Sequence, residues 1–81
     1  MYVYLLQSEK DPARRYVGRT HDIGVRLAEH NRGAVTATYK FKPWKLIAFV
    51  WLERSDTAID FENYLKSGSG RAFTKRHFLY F

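Results

Sequence analysis

The sequence contains no cysteine, few acidic residues and no long hydrophobic run. Without cysteine, a disulfide framework and thiolate zinc sites are excluded, and a cytoplasmic location is expected. No apolar segment approaches the roughly 20 residues that span a bilayer, and the N-terminus lacks a signal-peptide pattern, so we expect no membrane association. Only 8 Asp and Glu residues stand against 14 Lys and Arg residues, a formal net charge of +6. Such a surface favours polyanions and predicts a nucleic-acid partner.

The length and the apolar content predict one small folded domain over residues 1–81. Of the residues, 46% are hydrophobic and 17% aromatic, which argues against a disordered chain. No repeat, linker or low-complexity segment divides the sequence.

Residue patterning predicts six elements in the order β-β-α-β-α-α, an α+β fold with a three-stranded antiparallel sheet flanked by helices. The segment 45–53 is apolar on both alternating faces, so we expect helices or loops to cover both sides of that strand. Ser55 is the predicted N-cap of the second helix, and Gly68, Ser69 and Gly70 are predicted to separate it from the third. The predicted strands are residues 2–7, 15–20 and 45–53, and the predicted helices are about 22–31, 55–67 and 71–77.

Three polar side chains fall beside or within the apolar faces of the predicted helices. At about 100° per residue, Arg26 and His30 project along the margin of the stripe on the first helix. Each has a structural alternative: an ion pair of Arg26 with Asp22, and a hydrogen-bonded core histidine. Glu62 lies inside the apolar arc of the second helix, where an unpartnered carboxylate would take up a proton. It is therefore expected to face an arginine, a lysine or a metal ion, and a structural salt bridge is the alternative.

The first two strands carry tyrosines whose hydroxyl groups can reach a polar site. Tyr4 shares a face with Tyr2, and Tyr16 shares a face with Gly18. Tyrosines in a small sheet are also ordinary core residues with solvated hydroxyls. Gly18 permits another backbone or a ligand to approach closely, or marks a bulge.

The Gly/Ser segment 67–70 leads to Arg71 and Lys75. Free N–H groups at a helix N-terminus, beside cationic side chains, can bind phosphate. In the alternative interpretation, the glycine and serine residues only cap the ends of the two helices.

Together these residues resemble the GIY-YIG nuclease domain over nearly the whole chain. The two tripeptides of the family correspond to Tyr2-Val3-Tyr4 and Tyr16-Val17-Gly18. Arg26 follows the glycine of the second tripeptide by eight positions, and His30 follows four residues later. Glu62 stands in an Ala-x-x-x-Glu-x-x-Leu-Lys setting, and the ending LKSGSGRAF resembles short stand-alone bacterial members that are similar to the N-terminal domain of an excinuclease.

The resemblance implies a metal-dependent endonuclease that hydrolyses phosphodiester bonds in DNA, including branched or damaged DNA. Glu62 would bind a single Mg²⁺ or Mn²⁺, Arg26 would bind the scissile phosphate, and His30 would assist. Tyr4 and Tyr16 would flank that phosphate, and the resemblance favours Tyr16 as the residue that deprotonates water. Four cations are expected to contact neighbouring phosphates: Arg19, Lys66, Arg71 and Lys75.

The sequence departs from the family pattern at several positions. Tyr2 replaces the first glycine, and Arg19 stands where some relatives have lysine. A polar residue, often asparagine, that some members have near the C-terminal end of the domain is not identified in this sequence. Two other functions are considered: a non-catalytic nucleic-acid-binding module on the same scaffold, and a basic protein-interaction domain. The second rests on exposed aromatic residues and on the apolar C-terminal segment 78–81.

Overall fold

A three-stranded antiparallel sheet, with the first strand at its centre, organises the chain. The computed structural model describes residues 1–79, so Tyr80 and Phe81 of the apolar C-terminal segment lie outside the described residues. The strand order is β2-β1-β3, and the predicted α+β class and element order are confirmed. The elements are β1 Tyr2–Ser8, β2 Arg15–Thr20, α1 Ile23–Asn31, a short 3₁₀ helix Tyr39–Phe41, β3 Trp44–Trp51, α2 Ser55–Lys66 and α3 Gly68–His77.

The central strand β1 divides the core between the two faces of the sheet. Because side chains alternate along a strand, Val3 packs against Ala58 and Leu65 on the side of α2 and α3. Tyr4 and Leu6 point to the other side and pack with Trp44 and with the apolar residues of α1. Each face therefore has its own small core, and β2 is left as an outer strand along which clefts can open.

The expectation that β3 is covered on both faces is wrong for its C-terminal half. Phe49 and Trp51 are 53% and 58% exposed. Their rings contact Tyr2 at centroid distances of 5.7 and 5.0 Å. Helix α1 packs instead against the other end of the same face, where Trp44 and Leu46 are covered.

A register shift opposite Leu5 and Leu6 interrupts the alternation of β3. Leu6 pairs with Leu46 while Leu5 pairs with Ala48, so one residue of β3 has no partner. Such a bulge reverses the faces on either side of it. Simple alternation predicted that Leu46 and Ala48 share a face. In the structure Leu46 packs with Leu6 instead.

The beginnings of the last two helices also differ from the prediction. Ser55 is the first residue of α2, and the N-cap position is Arg54, which makes no side-chain capping hydrogen bond. The Gly/Ser segment forms the first turn of α3 rather than a break, because the Ser67 hydroxyl accepts a hydrogen bond from the backbone N–H of Gly70 at 3.1 Å. A Cβ atom at Gly70 would lie 2.5 Å from Leu65 Cα, so only glycine allows this tight junction of α2 and α3.

Among residues 1–79, no helix has both the length and the apolar character needed to cross a membrane.

Candidate active site

An open, polar cleft of about 440 Å³ lies across the outer edge of β2 and is called the edge cleft below. Strand β1 contributes Tyr4, β2 contributes four residues between 16 and 20, α1 contributes Arg26 and Glu29, and α2 contributes Glu62. Its lining residues are Met1, Tyr4, Tyr16, Gly18, Arg19, Thr20, His21, Arg26, Glu29 and Glu62.

The position of Tyr4 depends on the glycine opposite it. Tyr4 and Gly18 are partners in the β1–β2 register. A Cβ atom at Gly18 would lie 2.6 Å from Tyr4 Cζ and would also collide with the Tyr4 hydroxyl. Gly18 therefore makes room for the phenol ring across the strand, rather than for a backbone or a ligand as the sequence suggested.

Tyr4, His30 and Thr38 form a buried hydrogen-bonded series. The Tyr4 hydroxyl lies 2.8 Å from His30 Nε2, and His30 Nδ1 lies 2.7 Å from Thr38 Oγ1. His30 and Thr38 are 0% and 1% exposed. Burial, followed by the positive charge of Arg26, lowers the pKa of His30 below its ordinary value. The imidazole is therefore neutral at pH 7.

Thr38 is held by further contacts in the loop before β3. Its hydroxyl lies 3.4 Å from the carbonyl oxygen of Val35, and its own carbonyl accepts a hydrogen bond from Trp44 Nε1 at 2.9 Å. The rigid indole and the loop thus fix the distance between Thr38 and the imidazole.

Arg26 lies beside the Tyr4 hydroxyl rather than in a pair with Asp22. The Arg26 guanidinium interacts with Tyr4, which raises the pKa of Arg26, and its Nη1 lies 3.3 Å from Glu29 Oε1. Asp22 has a different role, because its carboxylate caps α1 by accepting a hydrogen bond from the Val25 N–H at 3.0 Å. Burial raises the pKa of Tyr4 although Arg26 partly offsets this, so Tyr4 is a neutral phenol at pH 7.

Glu62 has two cationic partners, as the apolar setting of its side chain predicted. Its Oε1 accepts a hydrogen bond from Arg19 Nε, and its Oε2 accepts one from Lys66 Nζ at 2.6 Å. The carboxylate side chain is only 13% exposed. Burial raises the pKa of Glu62, but Lys66 and Arg19 lower it by more, so the net shift is downward and the group is ionised at neutral pH.

Tyr16 lies at the boundary of the same cleft without a hydrogen-bonded partner for its hydroxyl among residues 1–79. Its ring contacts His30 and Tyr4 at centroid distances of 5.0 and 6.3 Å. Tyr4 and Tyr16 thus flank one imidazole, and only Tyr4 is hydrogen-bonded to it.

The residues of the edge cleft fit a metal ion that needs few protein ligands. Within residues 1–79, no group of three or more His, Asp or Glu side chains is placed to enclose a metal. Mg²⁺ is commonly bound through one or two carboxylates with waters and substrate phosphate. An ionised Glu62 in an open polar cleft can act as that ligand, provided that Arg19 or Lys66 gives up its contact.

The structure brings together most of the residues singled out in the sequence. Tyr4, Tyr16, Arg26 and Glu62 line the edge cleft, and His30 lies directly beneath Tyr4. Two predicted phosphate ligands lie elsewhere: Arg71 hydrogen-bonds the Lys66 carbonyl at 3.1 Å, and Lys75 is exposed on the outer side of α3.

Two contributors escaped the sequence analysis. Glu29 was not expected to partner Arg26, although its spacing of three residues on a helix is the ordinary signal for such a pair. Thr38 lies in an irregular segment where no periodicity distinguishes it from Thr36, and only the folded chain shows its contact with His30.

Comparison with known proteins places this geometry in context. A family model described as the GIY-YIG catalytic domain matches residues 1–76. The chain is 37% identical over 68 residues to the structure-specific endonuclease subunit SLX1 of Scheffersomyces stipitis, an alignment that covers 75% of this chain and 20% of that protein. The chain therefore spans about a fifth of the length of this curated relative. No solved structure matches the chain significantly.

Proposed function

Because this chain belongs to the GIY-YIG catalytic domain family, we propose that it is a metal-dependent endonuclease that hydrolyses phosphodiester bonds in DNA. One observation carries the proposal: a phenol, a guanidinium and a carboxylate from three different elements line one open cleft, with a buried imidazole hydrogen-bonded to the phenol. They are Tyr4 on β1, Arg26 on α1 and Glu62 on α2, with His30 beneath Tyr4. The similarity to a structure-specific endonuclease subunit supports DNA that is recognised by its structure as the substrate class.

Glu62 would hold a single Mg²⁺ or Mn²⁺ in the edge cleft. When bound, the ion would supply positive charge to the scissile phosphate and to the leaving 3′ oxygen. Arg19 and Lys66 would exchange their contacts with Glu62 for contacts with DNA phosphates, which need cations of this kind. Arg71 and Lys75, on the adjoining surface of α3, would contact the backbone further away.

Arg26 would bind the non-bridging oxygens of the phosphate. A guanidinium presents its donors in a planar fork that matches phosphate geometry. Its contact with Glu29 orients it from the same helix, while about a third of the Arg26 side chain remains accessible from the cleft. The positive charge is therefore positioned where negative charge develops in the transition state.

The hydrogen-bond directions around Tyr4 support a path for the proton that leaves the attacking water. A guanidinium can only donate, so the positive charge of Arg26 beside the phenol faces the Tyr4 oxygen, and the Tyr4 proton is left for His30 Nε2. His30 then carries its ring proton on Nδ1 and donates it to Thr38, whose hydroxyl proton faces the Val35 carbonyl. This arrangement gives a partner to every polar hydrogen in the series.

In the proposed step, a water oxygen bonds to phosphorus as the bond to the 3′ oxygen breaks. The water proton passes to the Tyr4 oxygen while Tyr4 passes its own proton to His30 Nε2, which leaves an imidazolium and a neutral phenol. Because Tyr4 and not Tyr16 is hydrogen-bonded to a neutral imidazole, the network favours Tyr4 in this role, in contrast to the expectation from the family resemblance. Tyr16 would instead flank the phosphate and shield the imidazole.

A cleavage assay tests the proposal directly. Labelled duplex, single-stranded, flap and forked DNA are incubated with the protein and Mg²⁺, Mn²⁺ or EDTA, beside Glu62→Ala and the control Glu53→Ala. Glu53 is an exposed carboxylate outside the edge cleft. We expect cutting with metal by the wild type and by Glu53→Ala, and none by Glu62→Ala. Cutting in EDTA, or cutting by Glu62→Ala at the wild-type rate, contradicts the proposal.

A non-catalytic nucleic-acid-binding module is the second candidate. The observation in its favour is that both oxygens of Glu62 are engaged by cations. Such a module would bind the DNA panel in EDTA as well as in Mg²⁺ and would cut none of it.

A further inference from the structure

A second cleft, called the basic cleft here, opens beside the edge cleft between the start of β2 and the junction of α2 with α3. Its volume is about 390 Å³. The rim carries three cations: Arg15, Lys66 and Arg71. The floor is apolar and includes Leu5, Val17 and Leu65. No carboxylate lines it within residues 1–79.

The charge on this rim is only partly neutralised. Lys66 contacts Glu62, and Arg71 donates to the Lys66 carbonyl, which orients its guanidinium without cancelling its charge. Arg15 makes no ion pair among the described residues, and its side chain lies at the β2 edge. An anion entering the cleft would therefore meet at least two uncompensated guanidinium groups.

The combination of cationic rim and apolar floor matches one unit of a nucleic-acid strand. Phosphate oxygens pair well with guanidinium donors, while a sugar or a base has faces that pack on aliphatic side chains. A free inorganic anion would leave the apolar floor in contact with water, so the floor favours a phosphodiester with its attached sugar.

The two clefts lie at a spacing that suits the same strand. Both are lined by Tyr16, and Lys66 on the basic cleft contacts Glu62 on the edge cleft. Glu62 and Lys66 are four residues apart on α2, about 6 Å of helical rise. The segments 15–17 and 18–20 of β2 are displaced by about 10 Å along the strand. One strand of duplex DNA advances roughly 3.4 Å of axis per phosphate and also winds around that axis, so these separations span at most about three nucleotides.

We propose that the basic cleft binds a backbone phosphate and its sugar on the strand that is cut, within about three nucleotides of the scissile phosphate, with Arg15 as a ligand. The inference rests on the proposed nuclease function for the choice of ligand. It adds a substrate contact, Arg15, that neither the sequence motifs nor the edge cleft indicated. In this arrangement Arg71 contacts the phosphate from the opposite side of the cleft.

The chain offers a matched control at the neighbouring position. Arg14 carries the same charge, but its guanidinium lies 4.6 Å from the centre of the Phe41 ring and pairs with Asp11 at 3.7 Å, away from the basic cleft. Arg15→Ala and Arg14→Ala therefore remove one positive charge each, from adjacent residues, and only the first removes a ligand of the cleft. Both side chains are exposed, so both variants should fold, which circular dichroism verifies.

The test measures binding of a fluorescein-labelled 20-nucleotide single strand and its duplex by anisotropy, in EDTA and over a series of salt concentrations. We expect Arg15→Ala to raise Kd on the order of tenfold, the loss of a charge-assisted hydrogen bond. The slope of log affinity against log salt should fall by about 0.7 to 0.9, the loss of one phosphate contact. Arg14→Ala should leave that slope near the wild-type value.

If Arg15→Ala and Arg14→Ala change Kd and the salt slope equally, DNA binding depends only on the total positive charge of the protein, and the proposal is overturned. Wild-type binding by Arg15→Ala would overturn it as well. Because no metal is present, the result is independent of turnover. If DNA is never cut but the two variants differ, the nuclease function fails and the basic cleft stands; if DNA is cut and they do not differ, the basic cleft alone fails.

Discussion

The Tyr4 hydroxyl lies 2.8 Å from His30 Nε2, and both side chains are buried between the sheet and α1. A tyrosine in a small core would ordinarily direct its hydroxyl to solvent. Here it is directed to a neutral imidazole, with a guanidinium on its other side. That relationship makes the direction of each hydrogen bond testable.

Removing the Thr38 hydroxyl should disrupt the hydrogen-bonded series of Tyr4, His30 and Thr38 without leaving a cavity in the core. Thr38→Val keeps the shape but takes away the partner of His30 Nδ1. We expect kcat to fall by roughly 10- to 100-fold with little change in KM, because Thr38 positions the imidazole and does not contact DNA. The ¹⁵N chemical shifts of His30 should change from the Nδ1–H pattern to a mixture of tautomers.

Two variants make this interpretation specific. Thr38→Ser restores a hydroxyl and should recover most of kcat, while Thr36→Val, at an exposed position of the same loop, should match the wild type. Unchanged His30 shifts in Thr38→Val would remove Thr38 from the proton path.

The close contact of Gly18 with Tyr4 gives a second prediction. In Gly18→Ala the new methyl group must displace the phenol ring, because its position lies 2.6 Å from Tyr4 Cζ. Overpacking of this kind costs about 1–3 kcal/mol of unfolding free energy, and the displaced hydroxyl should lower kcat as well. Urea denaturation and single-turnover cleavage measure the two effects.

Gly24→Ala is the control for this substitution. Gly24 lies in α1, and the added Cβ would contact only Asp22 Oδ1, at 3.5 Å. Because alanine is the better helix former by about 1 kcal/mol, this variant should be as stable as the wild type or more so. A Gly18→Ala protein with wild-type stability and activity would contradict the packing argument.

Glu62→Gln should separate metal binding from stability. The amide keeps the size of the side chain but cannot hold a divalent ion as the carboxylate would. Because Arg19 and Lys66 are partly exposed and can turn to water, the loss of both ion pairs should cost only about 1 kcal/mol or less. We expect a melting temperature lowered by no more than about 8 °C, no cleavage and no detectable Mn²⁺ binding by calorimetry.

Asp60→Asn, on an exposed position of the same helix, should retain Mn²⁺ binding and cleavage. Mn²⁺ affinity in Glu62→Gln equal to that of the wild type would show that the metal ligand is a different residue.

The sequence was sufficient for the residues that project from regular elements. Arg26, His30 and Glu62 follow from helical periodicity, since a polar group on an apolar stripe requires a partner, and Tyr4 follows from its strand position. The sequence was insufficient for residues whose positions depend on tertiary packing. Thr38 reaches His30 through a loop with no period. The start of α3 depends on the Ser67 cap and on the close approach of Gly70 to Leu65. From residue preferences alone, this Gly/Ser segment was predicted to be a break between helices.

The remaining errors have a similar physical origin. The exposure of Phe49 and Trp51 could not be predicted, because an apolar strand shows which residues could be buried and not how far a nine-residue helix extends over them. The basic cleft likewise forms from β2 and from the junction of α2 with α3, which are distant in the sequence.

The lowered pKa of His30 predicts how stability and activity depend on pH. Burial lowers the pKa of His30 in the folded state, whereas the unfolded chain has the ordinary value of 6.5. As pH falls below 6.5 the unfolded state takes up a proton that the folded state refuses, so stability should decrease by up to about 1.4 kcal/mol per pH unit until the folded pKa is reached. The contribution of Glu62, whose pKa is also lowered, is lost only at more acidic pH, below its ordinary value of 4.5.

Melting temperatures at pH 7.5 and 5.5 test this assignment. The difference between the two pH values should be smaller in His30→Gln than in the wild type, while the exposed His21→Gln should behave like the wild type. In cleavage assays, the acid limb of kcat should lie below pH 6.5, because the neutral imidazole that accepts the proton persists below its ordinary pKa. An acid limb above pH 6.5 in the wild type, or an unchanged limb in an active His30→Gln, would exclude His30 as the proton acceptor.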